Sequence, residues 1–233
     1  MQKEKIIRVG CPSHNCGGRC LLRAHVKDGR ITRIETDDRP NDSVSDPQLR
    51  ACIRGRSYRH RQEHKDRLKY PMKRTGERGS GQFERISWDE ATDLVASNII
   101  RVKKRYGNTS LFVPYGTGGY NQMGGKWSAD RLMNMIGGAL GYYNSYSWAC
   151  ITKATETVYG TDETGNQRQD WLNSDFILMW GWNPSEMRDG TNTEYFLKEA
   201  RKKGTRVICI DPRMTMSAVA LADEWIAIRP GPD

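Results

Sequence analysis

Long apolar runs are missing from this sequence. Nowhere do roughly 18–20 consecutive apolar residues occur, which excludes a conventional membrane-spanning helix. The polar start Met1-Gln2-Lys3-Glu4-Lys5 has no apolar segment behind it. No secretory leader is therefore expected within the sequence, and the chain is either cytoplasmic or exported by a signal outside it. Cysteine is scarce, six in 233 residues, too few for the disulfide framework of a small coreless domain. The C-x2-C knuckle common in structural zinc sites is absent. No G-x-G-x-x-G follows a strand-like run, so a nicotinamide-binding Rossmann unit has no fingerprint. Aromatics are sparse where charge is greatest. Residues 50–76 hold ten Lys/Arg against Glu63 and Asp66, nearly the whole formal excess of +9, with Tyr58 and Tyr70 between them. A nucleic-acid surface would interleave stacking platforms with its cations. A solvated linker, or a socket for a compact polyanion, fits the stretch better.

What the sequence does have is an arrangement of four cysteines. Cys11, Cys16, Cys20 and Cys52 are spaced C-x4-C-x3-C-x31-C. Three soft ligands on one loop, with a fourth brought in by the fold, is the pattern that holds a [4Fe–4S] cube. Zinc and disulfides are the weaker alternatives. His14 lies inside the loop but is not needed as a ligand and reads as solvated. Cys209, in Val207-Ile208-Cys209-Ile210, reads as a small buried hydrophobe.

Leu21–Val26 and Arg30–Thr36 flank Asp28-Gly29, a hairpin signal, and the polar stretch from Asp37 to Pro47 is a loop leading to Cys52. Residues 1–60 are thus expected to form a small strand-rich cluster domain, 61–86 a basic connector, and 87–233 an α/β domain. Ser87-Trp88-Asp89-Glu90 is a capping box, followed at helical spacing by Ala91, Leu94, Val95, Ile99 and Val102, which predicts a helix over 88–105. Leu111-Phe112-Val113 reads as a short buried strand, and a second helix is expected over about 127–136. Phe176–Trp180 and Arg206–Ile210 read as strands around a helix over 194–203, a βαβ unit of an open parallel sheet. Ligands bind such sheets beyond the carboxyl ends of the strands, which selects Gly181-Trp182-Asn183-Pro184 and Asp211-Pro212-Arg213. Asn183 offers an amide, Asp211 an acceptor for a base or ribose, and Arg213 a partner for phosphate.

Several segments carry a family likeness in consistent order: the cysteine loop, Leu49–Ser57, Arg67–Met72, Glu84–Ala91, Trp180–Pro184, Ile210–Arg213 and Glu224–Gly231. Over essentially its whole length the chain resembles the catalytic subunit of the dimethyl sulfoxide reductase family of molybdopterin enzymes. It is most similar to the anaerobic, membrane-associated type. The resemblance implies a strand-rich [4Fe–4S] domain followed by an open α/β parallel-sheet domain that binds a pterin dinucleotide. It implies that Cys11, Cys16, Cys20 and Cys52 ligate the cluster, with four residues in the first gap where the subgroup commonly has three. Arg54 takes the cationic position between cluster and pterin. Trp180, Gly181, Asn183, Asp211 and Arg213 fall where a guanine-dinucleotide arm binds. Arg229, Gly231 and Asp233 match a further pterin-dinucleotide segment, with Pro232 where Thr is usual. Ser147 matches the serine that coordinates the metal, and Cys150 is its competitor. Tyr120 and Trp127 line the substrate funnel or belong to the core.

The implied cofactors are a [4Fe–4S] cluster and a molybdenum (or tungsten) bis(molybdopterin guanine dinucleotide). The implied reaction is reduction of an S-oxide, N-oxide or related anaerobic acceptor, with two electrons returned singly through the cluster and two protons leaving in water. Implied partners are the remainder of the subunit, an iron–sulfur electron-transfer subunit, a membrane anchor subunit and the small-molecule acceptor, with no nucleic acid. The implied location is the extracytoplasmic face of a bacterial membrane, reached through those subunits. The sequence stops inside a family motif and is expected to be the N-terminal part of a longer subunit, inactive in isolation. A stand-alone iron–sulfur electron-transfer module and a zinc-containing nucleic-acid binder are the readings from other classes.

Overall fold

The computed structural model describes residues 3–12, 16–114, 125–143 and 146–231, the side chains of Tyr146 and Ser147 excepted. It divides into two compact units, Met1–Arg59 with Tyr146–Asp233, and His60–Ser145.

The first unit opens with three antiparallel strands, β1 (Lys5–Gly10), β2 (Leu21–Lys27) and β3 (Arg30–Thr36), with β2 central. Asp28 and Gly29 turn β2 into β3 with φ of 49° and 78°, the paired left-handed residues of a tight hairpin turn. Along β2, Leu22 and Ala24 are buried, as alternation on a half-buried strand requires. β1 pairs with β2 from Lys5↔Val26 to Gly10↔Leu21. Cys11 N–H then donates to the Cys20 carbonyl at 2.8 Å. The cysteine loop is therefore the connection of a β-hairpin. The single-turn helix α1 (Ile53–Arg56) follows Cys52, and a second, α2 (Tyr58–Gln62), runs across the limit between the units at Arg59.

The second unit holds the hairpin β4 (Met72–Arg74) and β5 (Phe83–Arg85), then α3 (Trp88–Tyr106) and α4 (Gly125–Met135). Ser87 caps α3 by accepting from Glu90 N–H at 3.0 Å. Glu90 pairs with Lys73 at 3.3 Å. Asn108 donates to the Ile136 carbonyl at 3.2 Å and the Gly138 carbonyl at 2.6 Å, satisfying groups beyond the end of α4. The buried strand expected at 111–113 does not form. Phe112 makes a single bridge to Leu140 and is 55% exposed. Three apolar residues suit a strand only where a ladder partner exists on each side, and the described residues supply one bridge.

The chain returns to the first unit with α5 (Tyr146–Tyr159), β6 (Phe176–Trp180), α6 (Pro184–Met187), α7 (Thr193–Lys202), β7 (Arg206–Ile210), α8 (Met216–Leu221) and β8 (Glu224–Ile226). The strands run parallel in the order β6-β7-β8. Thr193, Phe196, Leu197 and Ala200 form the buried stripe of α7, one face of a 3.6-residue period. Leu197 meets Met179, Val207, Cys209, Ala218 and Leu221 in the core, so Cys209 is the buried hydrophobe expected. The observed fold is α/β, with a strand-rich hairpin domain and a parallel sheet. Among the described residues no helix is long and apolar enough to cross a membrane.

Candidate functional site

The cysteine hairpin and the parallel sheet lie in one unit, and two sites take shape there. At the first, backbone pairing of Cys11 to Cys20 closes the loop neck. Cys52 stands at the N-cap of α1 with extended backbone and accepts from Arg56 N–H at 3.1 Å. Two glycines leave room around the sulfurs. A Cβ at Gly18 would meet Cys16 Sγ, Cys20 Sγ and Thr191 Oγ1, each at 3.5 Å, and a Cβ at Gly55 would meet Cys11 Sγ at 3.4 Å. Cys16, Cys20 and Cys52 line a cavity of about 320 Å³, shared with Gly18, Arg50 and Lys198 among others. None of the four is in a disulfide.

Burial pushes the Cys20 thiol up; the Thr191 hydroxyl works against that, and Cys52 and Cys16 add to it. The raised value disfavours a bare Cys20 thiolate, the form that a metal cation stabilises. The described residues contain no group of three or more His, Cys, Asp or Glu close enough for one ion. An iron–sulfur cube makes no such demand, because its four thiolates bind four different irons. Four cysteines outside any disulfide, the glycine cradle and the cavity fit a cube. Cations suited to an anionic cluster stand near. Arg50 lies 4.2 Å over the Tyr195 ring and pairs with Asp42 at 2.7 Å. Arg54 donates from Nη2 to the Glu186 carbonyl at 2.6 Å.

That last contact leads to the second site. Because the three strands are parallel and in register, with Trp180 opposite Ile210 and Ile210 opposite Ile226, their carboxyl ends share one edge. Gly181, with φ of 57°, turns the chain out of β6 and donates to the Ile210 carbonyl at 2.8 Å. Asn183 then caps α6, with Pro184 at its first position. Its Oδ1 accepts from the Ser217 hydroxyl at 2.6 Å, and that hydroxyl oxygen accepts from Ser185 N–H at 2.9 Å. Asn183 Nδ2 is buried without a hydrogen-bond partner, which is rare for an amide donor. Asp211, 8% exposed, accepts from Arg213 N–H at 2.8 Å, and its carbonyl accepts from Trp225 Nε1 at 2.9 Å. Arg213, Arg229 and Trp180 are exposed. Gly231 has φ of 144°. An orphaned amide donor, a buried carboxylate and exposed guanidiniums on one strand-end edge fit the base and phosphates of a dinucleotide.

The remaining expected residues are not brought to this edge by any described contact. Ser147 is the second residue of α5, but its side chain lies outside the described residues, as do His14, Tyr120 and Asp233. Cys150 is an exposed cysteine of α5. Trp127 is exposed on α4 in the second unit and is not a core residue. Residues the motifs did not point to also take part: Thr191 and Asn192 against the cysteine segments, and Ser217 behind Asn183. Asn192 Nδ2 donates to the Gln48 carbonyl at 2.8 Å, and Arg19 N–H donates to Thr191 at 2.8 Å. No local pattern marks them, since each acts on partners far away in sequence.

Comparison with known proteins gives the family of both halves of the chain. Residues 4–64 match the molybdopterin oxidoreductase Fe4S4 domain and residues 67–233 match the molybdopterin oxidoreductase family. The chain belongs to the molybdopterin oxidoreductases, and its cofactors are a [4Fe–4S] cluster and molybdenum–molybdopterin. Among curated relatives, it is 47% identical to the dimethyl sulfoxide reductase DmsA of Escherichia coli, over 99% of this chain and 29% of that protein. It is 44% identical to DmsA of Haemophilus influenzae, over 99% of this chain and 30% of the relative. The chain thus spans under a third of the length of these relatives. Among solved structures, acetylene hydratase from Pelobacter acetylenicus superposes with a TM-score of 0.68 at 28% identity, over 95% of this chain and 29% of that one.

Proposed function

We propose that this chain forms the cluster site and one dinucleotide-binding edge of a molybdenum-dependent reductase catalytic subunit. Its substrate is an S-oxide, N-oxide or related anaerobic acceptor, and electrons reach the metal through the [4Fe–4S] cluster. The observation that carries the reading is the link between the sites. Arg54, two residues after Cys52, reaches the Glu186 carbonyl in α6, the helix that Asn183 caps. A one-electron site and a dinucleotide edge are thereby joined through one guanidinium.

In this reading Cys11, Cys16, Cys20 and Cys52 hold the cluster, and Arg54 screens charge between cluster and pterin. The unpaired Asn183 amide and the Asp211 carboxylate recognise the base and ribose of the guanine-dinucleotide form, flanked by Trp180 and Gly181. Arg213 and Arg229 neutralise its phosphates, with Gly231 and Asp233 on the same segment. Ser147 is the metal ligand and Cys150 its competitor. When bound, the molybdenum–pterin group supplies two-electron oxygen-atom exchange and the cluster one-electron transfer. An S-oxide consumes two electrons and two protons, giving the sulfide and water. Identity of 44–47% with two dimethyl sulfoxide reductases, against 28% with a hydratase, favours reductive chemistry. The rest of the subunit, an iron–sulfur electron-transfer subunit and a membrane anchor complete the assembly, on the extracytoplasmic face of a bacterial membrane. Domain limits of 1–60, 61–86 and 87–233 follow the roles of cluster, basic connector and pterin site.

Anaerobic preparation with metal and sulfide analysis tests this. For the whole catalytic subunit, roughly four irons and four sulfides, with molybdenum or tungsten and oxidation of reduced viologen by dimethyl sulfoxide, is the expected result. A cluster with neither metal nor pterin reduces the chain to an electron-transfer module. Zinc without sulfide removes the cluster altogether.

A further inference from the structure

We propose that Thr191 is a positioning residue that raises the reduction potential of the cluster by donating a hydrogen bond to Cys20 Sγ. The proposal rests on Cys20 being a cluster ligand. Thr191 Oγ1 lies 3.4 Å from Cys20 Sγ and accepts the backbone N–H of Arg19 at 2.8 Å. Accepting that bond occupies a lone pair and leaves the hydroxyl proton to point elsewhere. A cysteine bound to iron is a thiolate without a proton, so the threonine is the donor. Gly18 completes the arrangement, because the space beside it is bounded by Cys16 Sγ, Cys20 Sγ and Thr191 Oγ1 together.

The backbone holds the hydroxyl there. Arg188, Asp189, Gly190 and Asn192 all have positive φ, at 72°, 41°, 97° and 64°, a left-handed run that non-glycine residues rarely adopt. Left-handed backbone of this kind marks places where surrounding contacts over-determine a conformation. Here Gly190 N–H donates to the Cys16 carbonyl, while Asn192 bonds both Gln48 and Arg50. Thr191 sits between these anchors. A hydrogen bond to a cluster sulfur favours the state with more negative charge, which is the reduced one.

The test is a redox titration of the intact cluster-loaded protein, following the reduced-cluster signal by electron paramagnetic resonance alongside iron analysis. Thr191→Val keeps the shape and removes the donor. It should lower the equilibrium constant for reduction about tenfold, which is ~59 mV for a one-electron couple. Thr191→Ser restores the hydroxyl and should titrate with the parent protein. Should the valine variant lose iron, Thr191→Ala replaces it against Thr191→Ser in the same comparison. A donor-less variant with full iron and an unchanged potential overturns the proposal and leaves the cluster standing. A parent protein with neither iron nor sulfide overturns the cluster reading instead.

Discussion

Replacing Ser217 by alanine separates the fold from the cofactor edge. Ser217 is fully buried. Its oxygen accepts from Ser185 N–H at 2.9 Å and its proton goes to Asn183 Oδ1 at 2.6 Å. Ser217→Ala therefore orphans a backbone donor and an amide acceptor, in a loop where Asn183 Nδ2 already lacks a partner. Each such group costs about 1–3 kcal/mol when left unpaired. Ser185 and Asn183 are half-buried, so water recovers part of this, and the loss should be ~2–4 kcal/mol. Asn183→Ala removes an acceptor but also removes the orphaned donor, leaving one rotatable hydroxyl, so its cost should be only ~0–1.5 kcal/mol. For pterin retention the order should invert, because Asn183→Ala deletes the donor proposed to meet the base, whereas Ser217→Ala only loosens it. Trp171, Trp182 and Trp225 pack against the core, so urea melts followed by tryptophan fluorescence report the first ranking. Fluorescence of extracted pterin reports the second. If Asn183→Ala proves the more destabilising, or keeps pterin at the parental level, the reasoning about this amide is wrong.

His25 lies between Glu35 at 2.9 Å and Glu4 at 3.1 Å. These hydrogen bonds, Glu35 first, raise its pKa above 6.5, and the same bonds lower both carboxylates from 4.5. The raised imidazole contributes stability that is full below about pH 6.5 and is lost as pH rises through its folded value; the carboxylates contribute above about pH 4.5 and lose it as pH falls. His25→Gln should flatten the alkaline side of the stability profile, and an unaltered profile in urea melts across pH would refute this. Leu197→Ala, in the core on α7, should cost about 3–5 kcal/mol, read as a urea midpoint shift, while the exposed neighbour Lys198→Ala should stay within about 0.5 kcal/mol. Arg54→Gln should cost the fold about 1 kcal/mol or less, since its guanidinium is exposed. In the whole subunit it should slow substrate-driven cluster reoxidation in stopped flow by a larger factor, and equal losses in both would make Arg54 merely structural.

The parts legible in the sequence are those whose physics is local. Asp28-Gly29 betrays the β2–β3 hairpin because a tight turn demands two positive φ values. The α7 stripe at 193, 196, 197 and 200 and the five-residue apolar strands beside it give the βαβ unit. From the parallel order follows the edge that gathers Asn183, Asp211 and Arg213. β1 was hidden because its return passes through the whole cysteine loop, residues 11–20, far longer than the two-residue turn that announces a tight hairpin. β4 and β5 have only three residues each, too short for any period to show. The 111–113 run failed for the complementary reason: apolarity was present and the ladder was not.

The cluster's surroundings are less legible than its ligands, and the reason is energetic. Three non-glycine residues with positive φ at 188, 189 and 192 cost of order 1–3 kcal/mol each, and nothing in Arg188-Asp189-Gly190-Thr191-Asn192 advertises them. Against that cost stand the bonds from Gly190 to Cys16, Arg19 to Thr191, Asn192 to Gln48 and Arg50 to Asn192, each worth about 1 kcal/mol net. The bonds, about 4 kcal/mol together, reach only the lower part of a cost of about 3–9 kcal/mol. The loop therefore holds this shape only while the cysteine hairpin is folded against it, and the hairpin gains its hydroxyl neighbour only from a segment some 170 residues away. Spacing between residues 11 and 52 can name thiolates for a cube. What those thiolates feel is decided by the parallel-sheet half of the same unit, so a potential shift at Thr191 would report on the joining of the two halves as much as on one hydrogen bond.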